Sequence, residues 1–148
     1  ALTVLFNAGG AGGAGTAPER VGVAVAGPHI EAVFDTNILI DFLVGRDEAQ
    51  QEFDRYARRG ISIVTWMELQ IGARSEGDAD VIDLFLREFR VLEITRSVAR
   101  RAVEIRRRTR VRLPDAIIWA TAQSESALLV TRNTKDFPPD DSSVRIPY

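Results

Sequence analysis

With 148 residues, 45% of them hydrophobic, the chain suits a single domain that can bury a real core. Its formal net charge of -2 does not by itself mark a nucleic-acid binder. It has no cysteine and one histidine, His29, which excludes disulfides, thiolate nucleophiles, Cys-based zinc sites and multi-histidine metal sites.

Residues 1–30 differ from the rest. Ala8 to Gly15 (AGGAGGAG) is low-complexity and is expected to be flexible, and its apolar neighbours lack the basic start and continuous apolar run of a signal peptide. The chain begins without methionine, and the origin of this segment stays open. No apolar run approaches the ~20 residues needed to span a bilayer, so the expected setting is soluble and cytoplasmic, away from membranes.

From Ile30 the pattern becomes orderly. Ala32-Val33-Phe34 reads as a buried strand that ends at Asp35, followed by a short helix from Thr36 to Leu43 closed by Gly45. Asp47 can cap a second helix, with Ala49, Phe53, Tyr56 and Ala57 inward and Gly60 as its stop. Ile61 to Val64 reads as the second strand, and a helix then runs through Glu68 to Ala73. Asp78 to Phe89 is amphipathic, with Val81, Ile82, Phe85, Leu86 and Phe89 facing inward. Val91-Leu92-Glu93 is a short strand, and Ser97 to Arg108 a helix with Val98, Ala102 and Ile105 inward. Pro114 opens another helix, Asp115 to about Glu125. Leu128 to Val130 and Val144 to Ile146 are the last strands, the latter at an edge. Strands alternating with helices predict an α/β domain with a mostly parallel sheet.

In such a sheet, polar groups just beyond the strand C-termini gather at a crevice where the strand order reverses. Those places carry acids and amides here. Asp35 follows the first strand directly, a position that also suits an ordinary helix cap. Glu68 sits among Trp66, Met67, Leu69 and Ile71, which read as largely buried, and an acid in that company needs a cation or hydrogen bonds. Asp115 lies in the first turn of an apolar helix, where the helix dipole alone would favour it. Asn133 and Asp136 follow the fourth strand in a loop whose composition is also that of a turn. Together, four acids converging on one crevice would repel strongly unless divalent cations neutralised them. Mg2+ or Mn2+, which prefer oxygen ligands, would suit such a site and can activate a water against a phosphodiester.

The motifs then become specific as a set. Ala32 to Asp41 (AVFDTNILID) resembles the opening motif of PIN domains, Glu68 to Ala73 (ELQIGA) their second, Pro114 to Ala122 (PDAIIWATA) their third and Val130 to Phe137 (VTRNTKDF) their fourth. The resemblance runs over about residues 31 to 148 in the right order. It implies a PIN-like three-layer α/β/α fold and a metal-dependent endoribonuclease similar to the VapC toxins of toxin–antitoxin pairs. It also implies RNA as substrate, a cognate antitoxin as inhibitor, a homodimer, and Mg2+ or Mn2+ bound by Asp35, Glu68, Asp115 and Asp136. Relatives place the fourth acid at either Asn133 or Asp136. The amide at Asn133 makes Asp136 the ligand candidate and leaves Asn133, with Thr36, Asn37 and Thr131, to support the ligands or contact substrate. The first thirty residues have no counterpart in the resemblance.

Between Arg96 and Arg112 lie eight arginines against one acid, Glu104. Arg106, Arg107, Arg108, Arg110 and Arg112, nearest Asp115 along the chain, are candidate phosphate contacts, although a solvated helix face would look the same. Trp66 and Trp119 read as core, and His29 as an incidental loop residue. Two other functions compete. A non-catalytic PIN-type module binding RNA or protein would not need the full acidic set. A phosphotransfer enzyme of the haloacid-dehalogenase kind would want an acid where Asn37 stands, and a receiver domain would want paired acids at the first strand end.

Overall fold

The structure, a computed structural model, describes residues 29–148; the Gly/Ala-rich segment lies outside the described residues apart from His29 and Ile30. The elements, in chain order, are β1 (Ala32–Phe34), α1 (Thr36–Leu43), α2 (Asp47–Asp54), β2 (Arg59–Ser62), α3 (Ile63–Gly72) and α4 (Glu76–Leu86). They continue as β3 (Arg90–Leu92), α5 (Arg96–Arg108), α6 (Leu113–Ser124), β4 (Leu128–Val130) and β5 (Val144–Arg145). The five strands form one sheet in the order β3-β2-β1-β4-β5, and every pairing is parallel, where a mostly parallel sheet was expected.

Each central strand is buried on both faces, and the pleat sends alternate side chains to opposite layers. Ala32, Phe34, Ile61 and Val130 join one core, capped by α1, α2 and α4 and filled by the rings of Phe53, Phe85 and Phe89. Val33 and Leu129 join the other, under α5 and α6, with Val98, Ala102, Ile105, Ile118 and Trp119. The result is a three-layer α/β/α domain. No described helix is long and apolar enough to cross a membrane.

Several boundaries differ from expectation for identifiable reasons. The second strand ends at Ser62, because the Ser62 hydroxyl accepts from the Val64 amide and caps α3, which claims Ile63 and Val64. Gly60 stops no helix; α2 ends at Asp54, and Gly60 lies inside β2. A Cβ there would stand 2.9 Å from Leu92 and 3.0 Å from Ile30, so close strand packing explains the glycine. Gly45 does close α1, with φ +87, a conformation that favours glycine. Tyr56 and Ala57 fall beyond α2, Phe89 beyond α4, Glu93 beyond β3 and Ile146 beyond β5. Val81 is exposed, since α4 buries only Ile82 and Leu86 fully against the sheet.

Candidate metal centre

The sheet order reverses between β1 and β4, and the chain leaves both strands at that crevice through polar residues. Asp35 follows β1 and caps α1, its Oδ1 accepting from the Thr36 amide at 2.7 Å. Its Oδ2 accepts from the Thr131 hydroxyl, just past β4, at 2.8 Å and from Asn37 Nδ2 at 3.2 Å. Thr131 Oγ1 in turn accepts from Asn37 Nδ2 (3.2 Å) and the Asn133 amide (3.0 Å). One proton given and two lone pairs filled satisfy that hydroxyl completely. Asn37 is used at both ends of its amide, because its Oδ1 accepts from the Arg132 amide at 3.2 Å. An aspartate at position 37 could donate to neither Asp35 nor Thr131, which accounts for the amide.

Glu68 reaches the same crevice from α3. Thr36 Oγ1 lies 3.1 Å from both Glu68 Oε1 and Thr65 Oγ1. A hydroxyl has one proton and an ionised carboxylate only accepts, so Thr36 donates to Glu68 and Thr65 donates to Thr36. On the fourth wall Asn133 and Asp136 bind reciprocally: Asn133 Nδ2 donates to Asp136 Oδ2 at 2.9 Å, and the Asp136 amide donates to Asn133 Oδ1 at 3.1 Å. Asp115 sits in the first turn of α6, half-buried.

Asp35 is 4% exposed, and burial pushes its carboxyl up to about 6. The Thr131 and Thr36 bonds oppose the shift, whereas the charges of Asp115 and Glu68 add to it. Glu68 and Asp115 are raised too, first by burial and then by neighbouring carboxylates, Asp115 acting on Glu68 and Asp136 on Asp115. Arg112 pulls Asp115 the other way. The four acids thus feel one another in a chain, and the ion pairs among the described residues include none of them. Nor do any three His, Asp or Glu side chains among those residues already form a closed metal-holding group. The donor set nonetheless fits a hard divalent cation: oxygen ligands only, one deeply buried, with no fixed cation in their midst.

A family model of the PIN domain matches residues 32–138. The chain belongs to the PIN-domain family. Among solved structures, a chain of a toxin–antitoxin complex from Klebsiella pneumoniae is 42% identical with a TM-score of 0.75, covering 80% of this chain and 98% of that one. DNA-bound VapBC from Salmonella typhimurium is 26% identical with a TM-score of 0.69, over 79% of this chain and 96% of that one. FitAcB from Neisseria gonorrhoeae, 24% identical at a TM-score of 0.66 over 78% and 97%, bears on the fold alone. No curated protein matches the chain.

The other sequence candidates of this PIN domain are scattered. Arg106, Arg107, Arg108, Arg110 and Arg112 are all exposed, the first three ending α5, where the helix dipole also favours them. Only Arg112 bears electrostatically on one of the acids. His29 is exposed, and Trp119 is core, packed edge-on against Phe137. The surroundings expected for Glu68 need correction: Trp66 (36%), Met67 (43%) and Ile71 (77%) are exposed, and only Leu69 is buried. Those three occupy the solvent side of α3, so Trp66 is not core, and the environment of Glu68 comes from Thr36 and the neighbouring acids. Sequence reasoning missed Thr65, whose signal was its place three residues before Glu68 on one helix face. It also missed Asp41, Arg132 and Tyr148, which no local pattern singles out.

Proposed function

We propose that this PIN domain is a metal-dependent endoribonuclease of the VapC kind, hydrolysing RNA phosphodiester bonds and restrained by a cognate antitoxin. The observation that carries the reading is the chain of acids, none of them in an ion pair among the described residues, at the β1–β4 switch point, anchored by the buried Asp35. Likeness to a toxin–antitoxin chain at 42% identity supports it. Asp35, Glu68, Asp115 and Asp136 would hold Mg2+ or Mn2+, and the ion would supply an activated water and charge stabilisation at the phosphodiester.

The residues around the acids have separate tasks. Thr131 and Asn37 orient Asp35 and keep its second oxygen hydrogen-bonded; Thr36, backed by Thr65, does the same for Glu68. Asn133 holds Asp136. Arg112 stands beside Asp115, and with Arg106, Arg107, Arg108 and Arg110 it would contact phosphates, fixing RNA register without reading sequence. An antitoxin arginine could occupy the acidic crevice, since its planar fork suits carboxylates. The active assembly is read as a homodimer in the cytoplasm.

The test is cleavage of a single-stranded RNA by the purified chain with Mg2+ or Mn2+ and with EDTA. Asp35→Asn and Asp115→Asn should each abolish cleavage while the circular dichroism spectrum stays native. Full activity in EDTA would remove the metal mechanism. RNA binding without cleavage by the wild type would leave a non-catalytic binding module.

A further inference from the structure

Arg132 stands between two residues that hold the crevice's acids, Thr131 and Asn133, yet its own side chain is committed elsewhere. Its guanidinium forks onto Asp41, Nε to Oδ2 and Nη2 to Oδ1 at 3.0 Å. Its amide meanwhile donates to Asn37 Oδ1 at 3.2 Å. Asn37 and Asp41 are four residues apart on α1 and share one helix face. Arg132 therefore grips that face at two points, one turn apart. Asp41 is 7% exposed, and its Oδ2 also accepts from the Tyr148 hydroxyl at 3.0 Å. Arg46 completes the enclosure, with its guanidinium 4.4 Å over the Tyr148 ring and Nη1 3.7 Å from Asp41.

An arginine beside an acidic crevice would ordinarily be read as a substrate contact. Here its fork is filled by a buried carboxylate that belongs to the wall opposite its own. We propose that Arg132, clamped on Asp41 and braced by Tyr148, is a positioning residue that locks the loop after β4 onto α1. The lock sets where Asp35, capping α1, stands relative to Asp136, tied to Asn133 in that loop. As a statement about catalysis this rests on the ribonuclease reading; as a statement about the loop it does not.

The chain carries its own control. Arg145 on β5 makes the same kind of fork on buried Glu52 of α2, with Nη2 on Oε2 at 3.0 Å, but neither side chain bonds to a residue of the acidic crevice. The Arg145 carbonyl accepts from the Thr131 amide at 3.1 Å, a β4–β5 bond that a side-chain substitution leaves in place. Both forks staple a helix to a strand end with the same chemistry, and only one flanks the acids.

The experiment compares Arg132→Gln, Arg132→Lys and Arg145→Gln in the full chain, reading kcat and KM on a single-stranded RNA oligonucleotide with Mn2+. Amide hydrogen exchange is measured on the same proteins in EDTA. Arg132→Gln should lower kcat by about 10- to 100-fold, the range for residues that orient a metal's ligands, with KM little changed. Arg132→Lys should recover part of the loss, since a single ammonium restores the charge but not the fork. Arg145→Gln should lose comparable stability with kcat within about twofold, as expected of a change outside the orienting shell. Exchange should quicken at Arg132, Asp136 and Phe137, whose amides donate to Asn37 and Asn133, while β1 amides stay protected. If Arg132→Gln does not fold, Tyr148→Phe deletes one bond to Asp41 and should give a smaller change of the same pattern. Equal kcat losses in the two Arg→Gln variants, or unchanged exchange in the loop, would overturn the proposal. If the wild type cleaves no RNA, the functional reading falls, and loop exchange alone decides for or against the lock.

Discussion

Asp41 and Glu52 on one side and Asp35 on the other lie about equally deep in this domain and keep opposite company. Asp41 and Glu52 are 7% and 4% exposed, and each is met by an arginine fork and a tyrosine hydroxyl, from Arg132 and Tyr148 or from Arg145 and Tyr56. Asp35 is 4% exposed too, but its partners are hydroxyl, amide and backbone donors, and the charges nearest it are further acids. Burial is shared; the sign of the surroundings is not. A buried carboxylate with a bidentate cation is a finished structural pair, whereas one amid other acids is a site still lacking a positive charge. The contrast separates the acids that hold the fold together from those that would hold a ligand, and depth alone would not have done so.

The comparison breaks most visibly if one acid of each kind is neutralised. Glu52→Gln leaves Arg145 without its buried counter-charge and should cost about 3 kcal/mol, the lower end for opening a buried pair, because Arg145 keeps some exposure. Asp115→Asn removes a source of repulsion and should hold or raise the stability of the metal-free chain. Urea unfolding of both variants in EDTA reads the two signs directly. Loss of stability in both would mean that the crevice acids are structural after all.

Acidity sharpens the contrast. The folded-state pKa of Asp35 is about 6 against an ordinary 3.8, so the folded chain holds this proton more tightly than the unfolded chain does. The cost of charging it is absent below about pH 4, grows as pH rises toward 6 and is constant above, reaching about 3 kcal/mol. Glu68 and Asp115, also raised, push the same way, while Glu31 and Asp141, lowered by hydrogen bonds, push the other. Stability of wild type minus that of Asp35→Asn, measured in EDTA between pH 4 and 7, isolates the contribution of Asp35. A flat difference would mean that the carboxyl is ionised at no cost.

The sequence made one of these regions visible and hid the other. The crevice was legible because its acids follow short apolar runs, and in a parallel sheet strand ends converge by topology. Asp35 after Ala32-Val33-Phe34 needed only that rule, whereas Asp115, in the first turn of α6 with no strand before it, was singled out by the PIN-like motif Pro114 to Ala122. The forks were invisible because Asp41 and Arg132 lie 91 residues apart, and nothing local distinguishes Asp41 from a solvated helix acid. The same gap explains the error at α3. Trp66, Met67 and Ile71 look like core by composition, but the helix turns them to solvent while Val64, Thr65 and Leu69 fill the inner face. Ile63 and Val64 were misread for a different reason: nothing local marks the Ser62 hydroxyl as the cap that ends the strand until the Val64 amide is seen to donate to it.

Metal should act on one region only. Mg2+ that binds the folded crevice and not the unfolded chain stabilises by RT ln(1 + [L]/Kd), ~2.7 kcal/mol at a hundredfold excess over Kd. For a domain of this size that is a rise of several degrees in Tm. Asp115→Asn should shrink the response, and Glu52→Gln should keep it whole despite its lower starting Tm. Thermal melts with EDTA and with millimolar Mg2+ at matched ionic strength distinguish these outcomes. Equal responses in wild type and Asp115→Asn would make Asp115 a helix-terminus acid and nothing more.

The smallest effect concerns the arginines outside both regions. Those ending α5 are exposed and take no part in the ion pairs among the described residues, so each is free to meet a phosphate. Arg107 faces away from the buried Val98-Ala102-Ile105 stripe, and Arg108 lies on its flank by the 100° step of the helix. Reversing both to Glu should weaken RNA binding across unrelated sequences, because phosphate contacts carry no base information. It should also flatten the salt dependence: each single-strand contact contributes about 0.7 to the slope of log K against log salt, so two lost contacts remove roughly 1.4. Binding is measured with catalytically silent Asp35→Asn as background, from 50 to 300 mM KCl. Unchanged affinity and slope would return Arg107 and Arg108 to a solvated face. The path of RNA would then be sought at Arg112, the one arginine of the group whose charge already reaches Asp115.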